Sequence, residues 1–123
     1  MNREIGIEIK STLNMPPEYE VRADIVKLRG FRKACRETIK TLERQIEDQQ
    51  FDKVYMEKLS INPLGTDGIT YNPEACFNAA QRCDKHIVMF ESLINKERAK
   101  IEQVDYMITE IEKQLCLSEQ MSQ

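Results

Sequence analysis

The chain predicts an all-α fold, an antiparallel two-helix coiled-coil hairpin with a short N-terminal arm. Two long apolar seams with alternating steps of four and three, and one cluster of turn residues between them, carry this reading. The composition agrees. Of 123 residues, 32% are charged, and there are only four glycines and four prolines. Many charges with few turn formers is the signature of exposed helices.

The elements follow in order. Residues 1–16 form the arm. Ile5, Ile7 and Ile9 alternate like a strand, while Ile5, Ile9 and Leu13 share a helical face. The arm is thus a short helix or an extended segment, and Pro16-Pro17 closes it by pushing the preceding residue out of the helical region. The first long helix is predicted over 17–59. Pro17 and Glu18 suit a first turn, where a proline needs no N–H and an acid meets the positive dipole end. Its seam is Val21, Ile25, Leu28, Arg32, Cys35, Ile39, Leu42, Ile46 and Gln49, becoming less regular beyond. Gly30 inside it costs about 1 kcal/mol relative to Ala.

Residues 60–72 are the connection, marked by Asn62-Pro63, Gly65 and Asp67-Gly68. Asn72-Pro73-Glu74 reads as N-cap, first-turn proline and first-turn acid. The second helix then spans 73–119 on Cys76, Ala80, Cys83, Ile87, Phe90, Ile94, Glu97, Ile101, Val104, Ile108, Ile111 and Leu115, with a frayed tail at 120–123.

Reversal near Thr66 places residues opposite one another when their numbers sum to about 132, twice 66. That sets Ile46 beside Ile87, Leu42 beside Phe90, Ile39 beside Ile94, Leu28 beside Val104, Ile25 beside Ile108 and Val21 beside Ile111. The polar interruptions Arg32 and Glu97 sum to 129, and pairing them would set the register at some cost in stability. A two-helix hairpin offers few layers of burial. Met107, Ile108, Ile111, Leu115, Cys116 and Leu117 widen the apolar stripe near its open end. The arm or a second copy can cover it, so a homodimer forming a helical bundle is expected.

A net charge of −3 excludes a general polyanion binder, and phosphate attraction needs a local patch. Arg29, Lys33, Arg36, Lys40 and Arg44 supply one as a stripe on the first helix. It would serve nucleic acid, a nucleotide or an acidic partner. The plainer account is a solvated face neutralised by Glu91, Glu102, Asp105 and Glu110. Phe31 alone interleaves the stripe, too little for base stacking.

Cys76, Cys83 and His86 raise zinc, but a structural site takes four ligands and no fourth is at hand, so no metal is expected. Cysteines on apolar faces behave as small reduced hydrophobes. The loop lacks the glycine spacing and Lys-Ser/Thr pair of a phosphate loop, and the acids of a calcium loop. With one histidine and no Ser-His-Asp or Cys-His set, no catalytic residue and no cofactor are expected. No apolar run approaches 18 residues and no secretory h-region stands at the start, so an intracellular, cytoplasmic protein without a membrane span is expected. The functional expectation is a non-enzymatic coiled-coil interaction module, an adaptor, assembly subunit or inhibitor. It would self-associate and dock another protein, with anion binding by the basic stripe as the alternative.

Overall fold

A computed structural model describes residues 18–121, leaving aside the side chains of 18–21, 118 and 121. The predicted arm, the tail beyond 121 and the side chain of Val21 lie outside the described residues. The fold is an all-α helical hairpin. Helix α1 spans Glu18–Ile61 and α2 spans Pro73–Met121. Neither is long and apolar enough to cross a membrane. Each helix contributes to two compact units, one made of 18–38 with 96–121, the other of Ile39–Asn95.

In the first unit the core is Ile25 and Leu28 of α1 with Val104, Ile108 and Ile111 of α2. Leu28 and Val104 are fully buried, and Phe31, Met107 and Leu115 pack around the cluster. The facing pairs Leu28–Val104 and Ile25–Ile108 therefore share one core. Gly30 sits on the exposed side of α1, and nothing lies within 4 Å of where its Cβ would be.

In the second unit Leu42, Leu59, Cys76, Ala80, Cys83 and Ile94 are buried. Three of these are small, so the first turns of α2 offer little bulk to hold the helices apart. Helix α2 starts as its sequence dictates. Asn72 Oδ1 accepts the Ala75 N–H at 3.0 Å, and its carbonyl accepts the Cys76 N–H at 3.1 Å. That is an N-cap with proline in the first helical position, where no N–H is missed.

The reversal between the helices is a miniature hairpin. Leu64 and Thr70 form an antiparallel bridge. Inside it Gly65 N–H donates to Ile69 O at 2.9 Å and Gly68 N–H to Gly65 O at 3.0 Å. Gly68 has φ +79°, the left-handed residue that a three-residue hairpin loop with a bulge requires. Gly65 is buried, and a Cβ there would stand 2.7 Å from Asp67 Oδ1 and 2.9 Å from Tyr71 Cε2.

The two glycines thus behave oppositely. Gly30→Ala should raise stability by about 0.5–1 kcal/mol, since an open helical site gains propensity. Gly65→Ala should lower it by about 1–3 kcal/mol through overpacking. Urea titrations of both variants measure the difference, and equal effects would contradict this loop geometry.

Candidate functional site

Surface charges, the loop and the exposed apolar residues are the candidates for function. The residues of the basic stripe lie in both units. In the first unit Arg29 bonds Glu112 at 3.3 Å. Lys33 and Arg36 are exposed beside it. In the second unit Lys40 and Arg44 line a shallow surface depression together with Glu43 and Glu47, which interleave acid with base. Among the predicted neutralising acids, Asp105 takes Arg32, and Glu110 pairs along its own helix with Lys113 at 3.4 Å. Glu112, absent from the sequence expectation, is the partner of Arg29.

The register pair needs correction. Arg32 Nη1 donates to Asp105 Oδ1, while Glu97 accepts from Lys100 at 3.1 Å. The cause is the direction of side chains on a helix, which lean toward their own N-terminus. In an antiparallel pair, Arg32 therefore leans toward higher numbers on α2, and Glu97 leans away from Arg32. The lean grows with reach. His86 and Gln49 meet at 3.3 Å and sum to 135, and Lys53 and Asp84 meet at 2.8 Å and sum to 137. Arg32 and Asp105 also sum to 137, whereas Arg29–Glu112 and Arg22–Glu119 each sum to 141.

Glu97 instead supports a buried thiol. Burial pushes the Cys35 thiol above its ordinary pKa, and its hydrogen bond to Glu97 adds to this, so the group stays protonated. Burial likewise raises the Cys83 thiol. Cys35, Cys76 and Cys83 are buried and Cys116 is exposed. Among the described residues no group of three or more His, Cys, Asp or Glu is placed to hold a metal.

The loop has its own polar lock. Tyr71 Oη–H donates to Asp67 Oδ2, and the Ile69 N–H donates to Asp67 Oδ1 at 3.0 Å. The bond to Asp67 pushes Tyr71 up to about 12, and the same bond with the Ile69 N–H holds Asp67 below the usual carboxylate range. Sequence reasoning took this segment as a turn and missed the lock, although Asp67 and Tyr71 are only four residues apart.

The exposed apolar residues are unevenly placed. Of the twelve large ones among the described residues, Phe51, Val54, Ile61, Leu64, Ile69, Phe77, Val88, Met89 and Leu93 belong to the second unit. Only Val26, Tyr106 and Leu117 belong to the first. Leu117 belongs to the widened stripe read from the sequence, while the others lie off the seam, although their hydrophobicity was plain.

No protein-family model, curated protein or solved structure matches the chain.

Two outcomes follow from the polar geometry. A double-mutant cycle on Arg32→Ala and Asp105→Ala should give a coupling of about 0.2–1 kcal/mol, the range for partly exposed pairs, against none for Arg32 and Glu97. Alkaline titration of tyrosine absorbance should show one phase near pH 12 that Tyr71→Phe removes. The lock stabilises fully from above the ordinary Asp value of 3.8 to below the ordinary Tyr value of 10.0. It is lost in acid as Asp67 protonates at its lowered pKa, and in base as Tyr71 ionises near 12.

Proposed function

We propose that this chain is a non-enzymatic protein-interaction module, an adaptor, assembly subunit or inhibitor, that docks a partner protein through its second unit. The supporting observation is the concentration of exposed apolar side chains there, nine of the twelve among the described residues. Scattered exposed apolar residues are ordinary, but a local concentration marks a surface that water does not favour. The helices have already buried their seams, so this surface is surplus to the fold of the monomer.

Self-association belongs to the first unit. Tyr106 and Leu117 are eleven residues apart, so they share one strip of α2, and both are exposed. A second copy laid on this strip extends the two-helix layer into a bundle.

Light scattering should return twice the 14.4 kDa chain mass, and Leu117→Glu should return it to one. Affinity capture from cell extract should retain a defined set of proteins on the wild-type chain. The Phe51→Glu/Ile61→Glu variant, with its helical circular dichroism unchanged, should lose that set. Capture of the same set by the variant, or of none by the wild type, would reject the reading.

A further inference from the structure

Burial in the first unit is lopsided. On each helix one side chain precedes a seam position and another follows it. The following residues Arg29 and Glu112 bond across the pair, so they mark one flank. That flank is wet, with both of these side chains about half exposed and Val26 exposed at 66%. The preceding residues Asp24, Phe31, Gln103 and Met107 share the opposite flank. There Asp24 is only 8% exposed, and Phe31, Gln103 and Met107 are half-buried.

Two helices alone do not account for this. In the second unit the preceding residues Gln45, Asp52, His86 and Leu93 are all exposed. Leu28 and Val104 have no exposure left, whereas Ile46, Ile87 and Phe90, on the seam of the second unit, keep some. The Asp24–Met107 flank therefore calls for a third layer. Its extent can be read along α1. Phe31, about 20 Å beyond Glu18, is partly covered, while Thr38, about 30 Å beyond, is exposed. Gln114 stays exposed near the open end, so the layer runs closer to α1 there.

This burial belongs to one chain by itself, so a second copy does not produce it. Outside residues 18–121 the chain has 17 residues before α1 and two after α2. Only the first stretch is long enough. At 1.5 Å per residue it spans about 25 Å, and it joins α1 next to Asp24. Its chemistry fits as well. Ile5, Ile9 and Leu13 are four apart and fall on one helical face. A reversal at Pro16-Pro17 opposes residues whose numbers sum to about 33. Ile5 then stands beside Leu28, and Lys10 within one residue of Asp24. A buried carboxylate needs such a partner.

We propose that residues 1–17 fold back at Pro16-Pro17 and lie along α1 as the third helix of the first unit, with Ile5 and Ile9 over the Phe31–Met107 flank and Lys10 paired with Asp24. The segment acts as a built-in strap. It closes this flank to other chains and leaves the strip of Tyr106 and Leu117 as the open side of the unit. The inference concerns the first unit alone and does not depend on partner docking by the second.

The test uses the full chain with Ile5→p-benzoylphenylalanine, mixed from light and isotopically heavy copies and irradiated. Mass spectrometry should find crosslinks from position 5 to the 28–31 segment or to Met107, joining light to light and heavy to heavy. Crosslinks joining light to heavy chains, crosslinks into the second unit, or none at all overturn the proposal. Hydrogen exchange gives a second reading. In the full-length Ile5→Glu/Ile9→Glu variant, amides of 24–31 should exchange about tenfold faster, with those of 42–59 unchanged. Equal acceleration in both units overturns the strap. Lys10→Glu should lower the urea midpoint, and Lys10→Glu/Asp24→Lys should recover it. No recovery in a folded double variant overturns the ion pair.

Discussion

Two antiparallel helices can each hide only one stripe, and this limit governs the molecule. A stripe with a four-three rhythm is what each sequence supplies, and its burial removes Ile25, Leu28, Val104, Ile108 and Ile111 from water in the first unit. Most residues off the stripe stay wet, and long polar side chains reach across the edges. Because each leans toward its own N-terminus, the cross-helix partners are offset, more for longer side chains. Such pairs add little individually, and Arg29–Glu112 and Arg22–Glu119 are solvent-exposed on both sides. Burial sustains the pairing, and the ion pairs decorate its margins.

Polar groups that enter the seam are handled locally. Glu97 meets Lys100 one turn along its own helix and the Cys35 thiol opposite. A carboxylate with these partners is cheaper to hold in a seam than an isolated one. Arg32, half-buried in the other seam, is satisfied by Asp105 at the margin. The seam therefore tolerates both interruptions without a bond between them.

Much of the fold was legible because its rules are periodic. The seams, the turn cluster and the Asn72-Pro73-Glu74 helix start follow from residue spacing and from which residues lack or accept an N–H. What escaped depends on direction or on packing outside the seam. Summing residue numbers ignores the tilt of Cβ, so it matched Arg32 with Glu97 and overlooked Glu112. A turn signature does not reveal that Gly65 lies under Tyr71 or that Asp67 is held by it. The exposed residues Val54, Ile61, Phe77 and Val88 were readable one by one as apolar, but which apolar residues stay exposed depends on where the two helices meet.

The cysteines give each unit its own chemical clock. Cys35 is enclosed in the first unit and Cys76 and Cys83 in the second, while Cys116 faces water. An alkylating reagent reacts with accessible thiolate, so Cys116 modifies first and the enclosed sulfurs wait for their surroundings to open. Modification rates at position 35 and at positions 76 and 83 thus report separately how often each half of the molecule breathes.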